Sequence, residues 1–258
     1  MRTAAEWKII YHFYPVTDRR MQERKIRRES IRMQGYICVT GIVLKQTPVG
    51  EYDRHISILT KERGKISAFA RGARKPANRL TAAAAPFSFG VFKLYEGKSS
   101  YTLVEADIQN YFEELRTDYI GAYYGMYFAE VADFYTRENN DEREMMKLLY
   151  QSLRALCAAA LPNPLVRCVF ECRAMAVNGE FPGEFTREAL EGILGGGPPE
   201  DSTLYALYYI TSSPLEKLYT FKVADAVLGQ LQAVAGRYMK RFAGQQQFKS
   251  LEVLQTLC

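Results

Sequence analysis

Histidine is nearly missing from this chain. Only two occur in 258 residues, and His55 is the only one after Met33. A lone histidine inside a β-branched run, with no partner beside it, argues against general acid–base or triad chemistry. No G-x-S-x-G, H-E-x-x-H or G-x-x-x-x-G-K-[ST] pattern occurs, so the common hydrolase, metalloprotease and P-loop signatures are absent. Gly195-Gly196-Gly197 runs into Pro198-Pro199 rather than Lys-Ser/Thr and is not a phosphate cradle. Carboxylates are abundant but form no recognisable metal set. Cysteine is sparse: Cys38, Cys157, Cys168, Cys172 and Cys258 are an odd set without C-x-x-C. They fit reduced cytosolic thiols better than a disulfide framework. Cys168 and Cys172 could share one helix face, but zinc asks for four ligands, and Cys157 is the only near third. Cysteines in a helix core are expected instead, with no metal and no cofactor. No run approaches the roughly 18 apolar residues of a membrane span. No secretory signal is visible, because residues 7–14 are short and interrupted by Lys8 and His12. An enzyme and a membrane protein are both disfavoured, and a cytoplasmic place is expected.

What is present is a core and a local charge. The hydrophobic content of 48% supports a folded interior, and 258 residues suffice for one large domain or two ordinary ones. The net charge of +5 is misleading. Residues 1–32 carry nine basic and four acidic side chains, whereas 33–258 carry 25 of each. The charge that matters for partners is local. In residues 50–80, the run His55-Ile56-Ser57-Ile58-Leu59-Thr60 meets Lys65-Ile66-Ser67-Ala68-Phe69-Ala70-Arg71 through a Gly64-containing turn, a hairpin pattern. Alternation puts Ile66, Ala68 and Ala70 on one face and Lys65, Ser67, Phe69 and Arg71 on the other. Between 61 and 79 stand seven cations (Lys61, Arg63, Lys65, Arg71, Arg74, Lys75 and Arg79) against Glu62 alone. A phosphate backbone is the natural partner of such a patch; a solubilising surface is the plainer reading. Tyr52 and Phe69 lie beside these cations and are candidate stacking platforms for unpaired bases.

The remaining pattern places these residues. Residues 36–44, 55–60, 65–71, 87–95 and 101–108 read as strands, with a turn at 47–50 and a short helical insert at 79–85. Phe87, Phe89 and Val91 share one side of the fourth strand. Five strands with that insert match a small Greek-key barrel. From Tyr111 the period becomes helical. Helices are expected from there to about Phe134, then over 141–161, 164–177, 202–210, 221–243 and 251–257, the last capped by Ser250. Tyr119, Tyr123, Tyr124, Tyr127 and Tyr135 on the first long helix are expected to pack inward. The Gly/Pro-rich stretch 178–200 reads as irregular and mobile.

The ordered set GEYDR (50–54), LT-x-E-x-GK (59–65), ARGARKP (70–76) and LYEGKSSYTLVEA (94–106) resembles the N-terminal domain of the RecO family of DNA repair proteins. The likeness is dense over 33–110, weaker through the helices, and returns at Phe248-Lys249-Ser250-Leu251-Glu252. It implies an α+β chain: an OB-fold barrel over 33–112 and an all-helical domain over 113–258. It implies binding of single- and double-stranded DNA, annealing of complementary strands, and partnership with RecR and the C-terminal tail of the single-strand-binding protein. Help in loading RecA, and a place near the bacterial nucleoid, follow from the same likeness. An interaction module whose barrel only scaffolds the helices is the alternative. Many family members carry a four-cysteine zinc site after the helix matching 165–177; here residues 178–183 continue without cysteine, so that region reads as reduced and without ligands. Met33-Gln34-Gly35-Tyr36 resembles the usual start of the family, so the basic extension 1–32 is expected to be disordered or a start-site artefact.

Overall fold

The computed structural model describes residues 35–195 and 197–257. The basic extension 1–32, the expected start at Met33, Gly196 and Cys258 lie outside the described residues.

Five strands close into a barrel in the order β1-β2-β3-β5-β4. They are β1 Tyr36–Val49, β2 Asp53–Thr60, β3 Gly64–Ala70, β4 Phe89–Glu96 and β5 Tyr101–Asn110. The period-two pattern decides what faces in. On β3, Gly64, Ile66, Ala68 and Ala70 are buried, while Lys65, Ser67 and Phe69 face outward. Val43, Ile56, Ile58, Ile66, Phe92 and Leu103 fill the interior. A short helix, α1 Leu80–Ala83, separates β3 from β4. β3 and β5 then meet in parallel at Ala68–Tyr101 and Phe69–Thr102. This is the five-stranded OB-type barrel expected from the pattern, followed by helices.

Two strand bounds differ from expectation, the end of β1 and the start of β4, which begins at Phe89 rather than Phe87. β1 continues through Pro48, which pairs with Arg54, to Val49; a proline next to a strand end removes little of the ladder. On β4 the inward residues are Gly90, Phe92 and Leu94. Phe89 instead turns to the helices, its ring 4.6 Å from that of Tyr150.

The helical part begins with a 3-10 turn at Glu113–Arg116, so the first long helix, α2 Tyr119–Tyr135, starts later than its periodicity suggests. Asp118 caps it, accepting from the Gly121 N–H at 2.9 Å. Next come α3 Arg143–Ala158 and α4 Asn163–Val177, the latter with Pro164 in its first turn. The stretch 178–200 is not wholly irregular: α5 Arg187–Leu194 lies inside it, capped by Thr186 and burying Leu190. Its amphipathic spacing is flanked by glycines and prolines that hide it in composition. Then α6 Asp201–Ser212, α7 Asp225–Ala243 and α8 Lys249–Leu257 follow. Ser250 lies inside α8 rather than capping it, and its N–H and hydroxyl both donate to the Glu130 carboxylate of α2. That carboxylate stands at a helix N-terminus, where negative charge is favoured.

Barrel and helices share one apolar interior. Ile42, Leu44, Leu59 and Phe112 belong to the same cluster as Phe128, Leu149, Phe170 and Leu231. Inside it Glu171 is buried and satisfied, accepting from the Tyr127 hydroxyl at 2.5 Å and from Arg167 Nε at 2.7 Å. The β2–β3 turn is also tied to the α2–α3 connection. Lys65 N–H donates to the Arg137 carbonyl at 3.0 Å, and Asn139 N–H to the Arg63 carbonyl at 2.9 Å. Gly64 makes this approach possible. Its φ is +64°, and a Cβ there would lie 2.3 Å from the Arg137 oxygen.

Candidate nucleic-acid interface

The seven candidate cations do not form one patch. Lys61 and Arg63 stand at the β2–β3 tip, and Arg71, Arg74, Lys75 and Arg79 leave the far end of β3. Seven residues of strand hold the groups about 20 Å apart, well beyond a Debye length of about 8 Å at physiological salt. Between them Lys65 is occupied. Its ammonium lies 3.0 Å from Asp133 Oδ1, while Lys45 lies 2.7 Å from Asp133 Oδ2. Burial alone would raise the Asp133 carboxyl, but bonds from both lysines outweigh it and hold the pKa below its ordinary value. At the tip, Arg63 faces Glu96 across 3.7 Å, and Lys61 is exposed.

The far group is different. Arg71, Arg74, Lys75 and Arg79 are all exposed, and among the described residues none pairs with a carboxylate. The loop that carries them is held from below. Gly72 N–H donates to Asp53 Oδ1 at 2.7 Å, Ala73 is buried, and Arg74 N–H donates to the Tyr52 carbonyl at 2.9 Å. The Arg74 guanidinium reaches the Gly50 carbonyl at 3.0 Å. The exit loop and the β1–β2 turn thus make one surface, with Tyr52 in it. Lys75 Nζ lies 5.0 Å from the centre of the Tyr52 ring, a cation–π distance. A hydrogen bond with Glu51 pushes the Tyr52 hydroxyl pKa up. Phe69 is two positions before Arg71 on the outer face and packs edge-on against His55, with ring centroids 5.1 Å apart. Cations on a fixed loop beside the exposed Tyr52 ring and the half-buried Phe69 ring can hold a phosphate backbone and stack unpaired bases.

Two features have no local signal in the sequence. One is the basin beside Phe69, where the β4–β5 turn and Glu138 close over the outer face of β3. The other is an apolar groove between barrel and α2, lined by Phe87, Tyr111, Leu115, Tyr119 and Met126. Tyr119 there is 79% exposed, unlike the buried Tyr124 and Tyr127 of the same helix.

Cys168 and Cys172 are buried in α4, and burial pushes the Cys168 thiol up to about 12 and Cys172 well above its ordinary value. Among the described residues no three His, Cys, Asp or Glu side chains converge. No described helix is long and apolar enough to cross a membrane.

Comparison with known proteins agrees with this architecture. The family model described as recombination protein O N terminal matches residues 33–112, and that described as recombination protein O C terminal matches 116–192. A DNA repair protein RecO of Acetivibrio thermocellus is 30% identical over 246 residues, covering 86% of this chain and 97% of its own. Proteins of the same name from Bacillus cereus and Bacillus anthracis are 31% identical over 144 residues, covering 56% of this chain and 58% of theirs.

Proposed function

This chain belongs to the recombination protein O family, and from that premise we propose that it is a non-enzymatic DNA repair and recombination mediator that binds single and double strands and anneals complementary ones. The observation that carries the reading is the exit-loop surface. Arg71, Arg74, Lys75 and Arg79 stand together without carboxylate partners among the described residues, beside Tyr52. Two phosphate backbones repel, and a cationic surface that binds both lowers the barrier to their meeting. Lys61 and Arg63 add a second, smaller contact about 20 Å away. Phe69 and Tyr52 serve unpaired bases, and Lys65 serves mainly the barrel–helix contact. With RecR, the protein helps RecA replace the single-strand-binding protein, whose acidic, apolar C-terminal tail docks on the helices.

The test is annealing of complementary oligonucleotides precoated with the cognate single-strand-binding protein. Acceleration that salt suppresses is expected. The exposed apolar groove at Tyr119 and Met126 favours a second reading, an interaction module on a scaffold barrel. Unaccelerated annealing with no salt-dependent DNA binding would select it.

A further inference from the structure

Between the barrel and α2 lies an open groove of about 480 Å³, within the size range of binding sites. Its walls are apolar. Phe87 stands on the barrel side, Leu115 on the 3-10 turn, and Tyr119, Tyr123 and Met126 on α2. The last three are spaced i, i+4 and i+7, a stripe about 10 Å long on one helix face. Tyr119 and Met126 are both exposed. Arg116 is the one charged side chain in the wall, and its guanidinium lies over the Tyr111 ring at 5.9 Å.

The surroundings are acidic. Residues 99–136 carry seven carboxylates against Arg116 alone, the reverse of the basic run between 61 and 79. Asp133 is spent on Lys45 and Lys65, Glu130 on Ser250, and Glu105 faces Lys93. Asp107, Glu113, Glu114 and Asp118 are exposed, and among the described residues none of them pairs with a cation. Glu113, Glu114 and Asp118 belong to the turn and cap that carry Leu115, Arg116 and Tyr119, so they flank the groove's wall. Such a rim repels a phosphate backbone and an acidic peptide alike. The tail proposed above for the helices therefore docks elsewhere on them. A second copy of this chain fits no better, because a two-fold contact sets the same acidic rim against itself.

We infer that this groove takes a basic amphipathic helix of a partner protein. Apolar anchors at i, i+4 and i+7 of such a helix match the length of the α2 stripe. Lysines or arginines beside those anchors meet Glu113, Glu114 and Asp118, which favours encounter and fixes register. The apolar wall supplies affinity, and the rim selects the sign of the partner's charge. Exit loop and groove thus choose ligands of opposite charge, so DNA on the loop does not compete for the groove. The groove takes such a helix whether or not the exit loop binds DNA.

The test uses the full chain and two labelled synthetic peptides of about 14 residues, read by fluorescence anisotropy. Both carry leucines with the i, i+3, i+4, i+7 spacing; the other positions are lysine in one and glutamate in its counterpart. The lysine peptide is expected to bind at least about ten-fold tighter than the glutamate peptide, and added salt should narrow the difference. Tyr119→Ala with Met126→Ala should weaken lysine-peptide binding by about ten-fold. Glu113→Gln, an exposed change of charge alone, should weaken it by about two-fold and flatten its salt dependence; it covers the case in which the double variant misfolds. Equal binding of the two peptides, tighter binding of the glutamate peptide, binding of neither, or lysine-peptide binding that the variants leave unchanged would each overturn the assignment. Sedimentation showing a wild-type dimer that Tyr119→Ala dissociates would overturn it in favour of a second copy. Wild-type protein that takes the lysine peptide but no single-stranded DNA would support the groove and overturn only the DNA-binding reading.

Discussion

Lys65 and Asp133 bind each other across the boundary between barrel and helices, with the Lys65 ammonium 3.0 Å from Asp133 Oδ1 and donating as well to the Asp133 backbone carbonyl. Both side chains are only 21% exposed, so the pair is sheltered from salt more than a surface bridge is. Asp133→Asn is expected to lower stability by about 1–3 kcal/mol. It also releases two lysines, so the salt dependence of DNA binding should steepen rather than flatten. Because the Asp133 pKa is depressed in the folded state, its contribution is complete above the ordinary carboxylate value. It is lost as pH falls through the lower folded value. The stability gap between wild type and Asp133→Asn, measured by urea unfolding, should therefore be full at neutral pH, begin to shrink below about pH 4 and close only below the depressed folded value. A gap that persists unchanged to pH 2 would contradict the pairing.

The exit loop is tested by replacing Arg71, Arg74, Lys75 and Arg79 together with alanine. Each single-strand phosphate contact adds about 0.7 to the slope of log affinity against log salt, so the slope should flatten by up to about 3. The change should be nearly independent of base sequence, and the melting temperature should hold, because exposed cations contribute little to stability. Lys61→Ala with Arg63→Ala should flatten the slope by up to about 1.4. A folded quadruple variant with an unchanged slope would move DNA binding away from this loop.

The docking of the β2–β3 turn on the helices is tested by two glycines. Gly50 has φ +56° with open space around it, and Gly64 has φ +64° with the Arg137 oxygen 2.3 Å from where a Cβ would sit. Gly50→Ala should cost about 1 kcal/mol for the backbone conformation alone. Gly64→Ala should cost distinctly more, because the α2–α3 connection has to move. Equal losses in thermal unfolding would mean that the turn does not rest on Arg137.

Metal content supplies a fourth check. Purified protein is expected to carry no stoichiometric zinc, and a chelator should leave its melting temperature unchanged. About one zinc per chain by elemental analysis would overturn the reading of residues 178–183.

Much of this was legible from local pattern. The alternation Ile66, Ala68, Ala70 against Lys65, Ser67, Phe69 placed β3 and its faces, because a strand's side-chain period is two whatever surrounds it. The change of period after Tyr111 announced the helices for the same kind of reason. The ordered motifs from Gly50 to Ala106 carried the family resemblance. Composition misled where two scales conflict, as in α5, whose Thr186 cap and buried Leu190 sit among glycines and prolines.

What the sequence by itself determined, then, is which residues face inward, where the chain turns, and that cations gather between 61 and 79. What only the tertiary structure decided is how those cations are spent. Spacing along the chain cannot report that a seven-residue strand holds two groups beyond screening distance, or that Asp133, 68 positions away, neutralises Lys65. Nor can it report that Glu130, 120 positions from Ser250, stands at the N-terminus of α8. Electrostatic energy depends on distance through space and on the dielectric between charges. Neither quantity exists until the barrel closes and the helices pack against it.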